Sequence, residues 1–187
     1  MSNIEQRYIY IVISQTGTML SRLLKIVTGA KYNHASLSLT GDLKTMYSFG
    51  RIWAYNPFWG GFVKESLQHG TFRRFSNTDA VIAAIPIEEE CYEKLKKFLD
   101  NMYKKRKKYH YNYIGLVLAG IKIHYCSENT YYCSEFVRDV LIRFEIMESE
   151  QFSPIVQPIH ILEQVEDYII YSGKLRNYTS DKLIMQN

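Results

Sequence analysis

The stretch Tyr132-Cys133-Ser134-Glu135-Phe136 places a cysteine at the start of a segment whose apolar residues recur at helical spacing. At such a start, the unpaired backbone N–H groups and the helix dipole stabilise a thiolate, which is the reactive form of cysteine. A second stretch, Tyr32-Asn33-His34-Ala35-Ser36, supplies a histidine on a predicted strand that can act as the base. The two residues can meet in the fold although they lie far apart in the sequence.

These stretches, with the histidine before the cysteine, resemble the circularly permuted papain-like cysteine hydrolases. Within these hydrolases, the sequence resembles the NlpC-type, YiiX-like branch, which also includes the lecithin retinol acyltransferase family. A third matching segment is Tyr111-Asn112-Tyr113-Ile114-Gly115, and the resemblance covers most of the chain. It implies a permuted papain-like fold and a hydrolase or acyl transferase that acts on an amide or ester through an acyl-enzyme. It leaves open whether the acyl substrate is a peptide, a small amino-acid conjugate or a lipid.

The pattern of apolar residues predicts an α+β fold with a mostly antiparallel sheet packed against helices. The histidine belongs to a predicted hairpin, which is preceded by a buried strand and a short helix. Strands are predicted over residues 8–13, 33–40, 45–49, 80–87 and 168–171, and helices over 16–29, 88–105, 113–121, 131–144 and 158–165.

Composition indicates one globular domain spanning residues 1–187, since 47% of the residues are hydrophobic and 14% aromatic. The three cysteines form no C-x-x-C pair, which argues against a disulfide framework and a zinc site. We therefore expect a reducing, cytoplasmic setting, no metal and no organic cofactor. No signal-like N-terminus is present and no apolar run approaches the roughly 20 residues of a membrane span, so we expect no transmembrane segment.

The predicted catalytic residues are Cys133 as nucleophile, His34 as base and Ser48 as the group that orients the imidazole. Most free cysteines are small core residues, but Cys133 precedes the apolar stripe of its helix instead of belonging to it. The strand after the histidine strand carries no carboxylate, so hairpin register favours Ser48, with Tyr47 or a backbone carbonyl as alternatives. His124 is a reserve base. The backbone N–H of Cys133 is the expected oxyanion donor.

Tyr113 and Trp59 are the predicted substrate-binding residues. Several tyrosines near Cys133 could line a cleft, although packing is the commoner role of tyrosine, and Tyr113 is our choice among them. Trp59 belongs to an aromatic and glycine-rich loop over residues 53–62 that follows the hairpin. This loop either forms an apolar wall for an acyl or aromatic group or packs on itself, and the sequence favours neither.

The basic run Lys104-Lys105-Arg106-Lys107-Lys108 suggests a competing function, the binding of nucleic acid or an anionic surface. Its place at the end of a predicted helix already explains the charge, so we favour a solvated helix end over nucleic-acid binding. A third possibility keeps the fold without catalysis, as a ligand-binding protein with a degraded triad.

Overall fold

The computed structural model describes residues 6–15, 31–52, 59–68, 70–75 and 77–180. The helix predicted over residues 16–29 and the loop residues 53–58 lie outside these ranges. Within them the protein is an α+β structure, an eight-stranded, mostly antiparallel sheet with helices packed against it. This architecture is compatible with a papain-like fold.

The helices and strands are numbered in chain order. The strands are β1 (Arg7–Gln15), β2 (His34–Ser38), β3 (Met46–Arg51), β4 (Gly60–Glu65), β5 (Asp79–Ile87), β6 (His110–Tyr111), β7 (Thr130–Tyr131) and β8 (Ile169–Lys174). The α-helices are α1 (Gly70–Arg74), α2 (Glu89–Lys104), α3 (Tyr113–Gly120), α4 (Cys133–Arg143) and α5 (Pro158–Gln164).

The order of strands across the sheet is β7-β6-β4-β3-β2-β1-β5-β8, and among these the β6–β7 pair is parallel. β1 lies inside the sheet because residues 9–13 form a continuous apolar run, which suits a strand that is covered on both faces. One face of the sheet carries Ile11 and Ile13 against a core formed with α2, α4 and α5. The other face carries Tyr10 and Val12. Cross-strand pairing of Ser14 with His34 puts the histidine on this second face, at the end of the sheet.

The main core contains an aromatic cluster centred on Phe49, which is fully buried. Its ring centroid lies 5.0 Å from that of Tyr131 and 5.5 Å from those of Phe62 and Phe136. Because Phe136 belongs to α4, this cluster sets the position of the cysteine helix on β3 and β4.

We expect Phe49→Ala to lower the free energy of unfolding by about 3–5 kcal/mol, because it removes a buried ring and leaves a cavity between sheet and helix. Urea unfolding followed by circular dichroism measures this loss. Phe49→Leu is the matched control and should cost clearly less. Equal stability of Phe49→Ala and the wild type would contradict a closely packed cluster.

The structure contradicts the predicted loop at its end, since residues 60–62 begin β4. Two consecutive glycines disfavour a strand by propensity, but here close packing requires them. A Cβ atom at Gly60 would lie 2.6 Å from the hydroxyl of Tyr113, and one at Gly61 would lie 2.6 Å from the carbonyl oxygen of Tyr109.

The remaining predicted elements that fall in the described ranges agree with the structure to within a few residues at their ends. None of the helices in the described ranges is long and apolar enough to cross a membrane.

Candidate active site

Cys133 is the first residue of α4, and its side chain is buried. The helix begins here because the carboxylate of Glu135 accepts a hydrogen bond of 3.0 Å from the backbone N–H of Tyr132. Asn112 also donates to this carboxylate, at 3.4 Å, and burial raises the pKa of Glu135. Glu135 therefore organises the helix start that presents the thiol.

His34 begins β2, and the structure brings its imidazole next to the side chain of Cys133, which helps to raise the pKa of the imidazole. The sulfur atom also lies 3.9 Å from the carbonyl oxygen of Asn33. The Nε2 atom of His34 lies 2.8 Å from Oε2 of Glu65. Because Glu65 occupies Nε2, Nδ1 is the ring nitrogen that remains for the thiol. The two residues proposed from distant stretches of sequence are thus neighbours in the fold.

Glu65, at the end of β4, is the polar partner of His34, where the sequence had suggested Ser48. The Oγ atom of Ser48 instead donates to the carbonyl oxygen of Ala35 at 2.8 Å, which ties β3 to β2. Ser36 donates a hydrogen bond of 2.8 Å to the same Oε2 atom of Glu65 that contacts the imidazole. The carboxylate is therefore held from two sides.

The electrostatics favour a charged imidazole. Burial alone lowers the pKa of His34, but the charge of Glu65 and the hydrogen bond to Cys133 outweigh it and raise the pKa to about 10. Burial raises the pKa of Glu65, and the contacts with His34 and Ser36 outweigh this effect and lower it below its ordinary value. Near neutral pH the site therefore holds an imidazolium between a carboxylate and the side chain of Cys133.

A mostly apolar pocket opens beside Cys133. Its lining includes Tyr111, Leu116, Val156 and Pro158 together with Cys133. Burial and the charge of Cys133 raise the pKa of Tyr111 well above its ordinary value, so this phenol stays protonated. The pocket can accept an apolar group next to the sulfur.

Three tyrosines, Tyr32, Tyr111 and Tyr132, line the pocket, whereas Tyr113, which the sequence had favoured, does not. Tyr113 begins α3 and packs its ring on Tyr111, with 4.7 Å between centroids. Trp59 precedes β4 and is exposed, and within the described part of the chain it does not belong to the pocket wall. His124, the reserve base, is exposed in the segment after α3.

Glu65 is the site residue that sequence reasoning missed. The available signal is the β-favouring pair Phe62-Val63, which places Glu65 on the same face of a strand as Val63. Treating residues 53–62 as one loop hid the start of this strand. No cluster of three or more His, Cys, Asp or Glu side chains suited to a metal ion occurs within the ranges that the structure describes.

Neither a protein-family model nor a curated protein matches this sequence. Among solved structures, the chain is similar to the crystal structure of TseH, an effector of a type VI secretion system. The TM-score is 0.56 at 15% sequence identity, and the similarity covers 95% of this chain and 98% of the TseH chain. At this identity the similarity concerns the fold, and it extends over nearly the whole of both chains.

Proposed function

We propose that this protein is a cysteine hydrolase that acts on an amide or ester through an acyl-enzyme on Cys133. The observation that carries the proposal is the Glu65–His34–Cys133 array at the start of α4, in which His34 and Cys133 are buried and Glu65 is partly buried. A nucleophile in contact with a base that is itself oriented by a third group is the arrangement expected of nucleophilic catalysis.

In the proposed mechanism, the thiolate of Cys133 attacks the carbonyl carbon of the substrate, and the carbonyl electrons move to oxygen. Backbone N–H groups at the start of α4 hold the resulting oxyanion. His34 gives its proton to the leaving amine or alkoxide as the carbon–heteroatom bond breaks. The imidazole then takes a proton from water, which attacks the thioester and releases the acid and the thiolate. Another acceptor in place of water would give acyl transfer.

The presence of Glu65 favours catalysis over the alternative of a ligand-binding protein with a degraded triad. The degraded alternative arose because the strand after the histidine strand lacks a carboxylate, and Glu65 provides one from the next strand, β4. A carboxylate stabilises the imidazolium that forms during the reaction, which a serine hydroxyl does not do. The apolar pocket favours an acyl or aromatic group beside the scissile bond.

The proposal predicts that Cys133 alkylates rapidly at pH 6, where an ordinary thiol is less than about 1% thiolate. Iodoacetamide labelling followed by peptide mapping should find the label on Cys133, with Cys126 and Cys91 labelled only at higher pH. Cys126 is the exposed internal comparison, and burial raises the pKa of Cys91.

His34→Ala provides the matched variant and should reduce the labelling of Cys133 at pH 6 while leaving that of Cys126 unchanged. Circular dichroism confirms that the variant is folded. Fast labelling of Cys126 before Cys133, or an unchanged rate in His34→Ala, would remove the catalytic assignment.

A further inference from the structure

The outer side of α3 exposes large aliphatic side chains to solvent. Ile114, Val117 and Ile121 are 60%, 70% and 64% exposed, and their spacing puts them on one side of the helix. Ile123, which follows directly, is 50% exposed. We call these four residues the apolar face.

Packing among the residues that the structure describes does not account for this surface. The inner side of α3 makes the internal contacts, through Gly115 against Asn112 and through Leu116 at the pocket. A helix on the surface of a globular protein normally places polar residues on its outer side. Scattered exposed aliphatic residues are common, but a contiguous group on one helix marks an interaction surface.

Exposed positive charge lies close to the apolar face in the sequence. Residues 104–127 contain no Asp or Glu but include Lys122, beside Ile121, and the five cations of residues 104–108. Those five side chains and that of Lys122 are exposed. Lys108 lies five positions before Tyr113, the first residue of α3, so the Cα atoms of these two residues are at most about 18 Å apart.

Exposed aromatic and aliphatic residues continue the surface at the start of α3. Trp59 is 63% exposed and precedes Gly60, whose backbone closely approaches Tyr113. Ile52 is exposed too, and its N–H donates to the carbonyl oxygen of Trp59 at 2.9 Å. Tryptophan and tyrosine are the residues typical of the membrane–water interface.

We propose that this surface docks the protein on an anionic lipid bilayer, with α3 in the plane of the interface. The apolar face enters the boundary between headgroups and acyl chains, and these exposed cations contact anionic headgroups. A nucleic acid would engage the cations but leave four aliphatic side chains in water, whereas a bilayer uses both features. Because Leu116 and Gly120 of α3 line the Cys133 pocket, docking brings that pocket close to the lipid surface.

The test uses the full chain with Cys133→Ala, so that binding is measured without turnover and its outcome is separate from that of the proposed catalysis. Vesicles of phosphatidylcholine, with and without phosphatidylserine, are mixed with the protein and sedimented. We expect retention on vesicles that contain phosphatidylserine, with a loss at high salt. Val117→Glu should weaken partitioning at least about tenfold, because it places a charge in the inserted face. Lys122→Ala should weaken it about fivefold.

Two matched controls lie away from this surface. Ile169→Glu changes an exposed aliphatic residue on β8, at the opposite edge of the sheet, and Lys97→Ala removes an exposed cation from α2. Neither should change partitioning. With Trp53→Phe, Trp59 remains as the single tryptophan, and its fluorescence should shift to the blue with vesicles that contain phosphatidylserine. Val117→Ser is the milder variant to use if Val117→Glu does not fold.

The proposal is overturned if Val117→Glu and Val117→Ser, both folded, partition like the parent protein. Equal binding to vesicles without phosphatidylserine would also overturn it, as would tighter retention on RNA or DNA than on these vesicles. So would a dimer that forms without vesicles and is abolished by Val117→Glu, since the apolar face would then be an interface between copies of the chain.

Discussion

Replacement of Cys133 by alanine is expected to abolish acyl-enzyme formation and to lower hydrolysis by on the order of ten-thousand-fold or more. The loss follows from the proposed covalent mechanism, in which the sulfur is the atom that bonds to the acyl group. Removing the nucleophile of a catalytic unit costs about as much as removing the whole unit.

Acyl p-nitrophenyl esters and acyl p-nitroanilides of short and long chain length are suitable probes. With the wild type, mass spectrometry should detect one acyl group per chain on Cys133, and a p-nitrophenol burst should match the enzyme concentration. Cys126→Ser is the matched control and should retain both signals, because Cys126 is exposed whereas Cys133 is buried beside His34. An adduct and burst that persist in Cys133→Ala would exclude this cysteine as the nucleophile.

Glu65→Gln is expected to lower the pKa of His34 from about 10 by roughly 1–3 units, since it removes the adjacent carboxylate charge and retains a side chain of similar shape. NMR titration of the imidazole measures this change. Alkylation of Cys133 near neutral pH should slow in parallel, because a larger fraction of the imidazole is then neutral and no longer places a positive charge beside the sulfur.

The same substitution should change stability in a defined pH window. The pKa of His34 is raised above its ordinary 6.5, so its contribution is complete below pH 6.5 and is lost as the pH rises through about 10. The pKa of Glu65 is lowered from 4.5, so its contribution is present above pH 4.5 and is lost as the pH falls through the lowered value. Wild type and Glu65→Gln should therefore differ most in free energy of unfolding between about pH 4.5 and 6.5 and converge towards pH 10.

Ser48→Ala tests whether Glu65 or Ser48 is the residue that orients the imidazole of His34. Ser48 donates to backbone carbonyls, so its removal should leave the pKa of His34 unchanged and cost a modest amount of stability for the lost buried hydrogen bond. Urea unfolding across pH and the NMR titration test both variants together. A shifted imidazole titration in Ser48→Ala, with none in Glu65→Gln, would restore Ser48 as the orienting residue.

Local sequence patterns determined most of the secondary structure of the described residues. Burial periodicity and helix-start chemistry act over a few neighbouring residues. They therefore predicted the strand β1, the hairpin that carries His34 and the helix that begins at Cys133. Helix-start chemistry pointed to Cys133 and the resemblance to papain-like hydrolases selected His34, and the fold brings the two side chains together.

Tertiary structure alone decided which groups complete the site. Glu65 reaches His34 because of the register in which β4 pairs with β3, and this register cannot be predicted from the sequence of β3 alone. The glycines at the start of β4 also let its backbone pass close to Tyr109 and Tyr113. Ser48 looks equally polar in the sequence, but its hydroxyl is used by the backbone of β2. Register and side-chain direction depend on packing between distant segments. Local propensity therefore predicted the strand of His34 and the helix of Cys133, but it did not predict that the carboxylate of Glu65 contacts the imidazole.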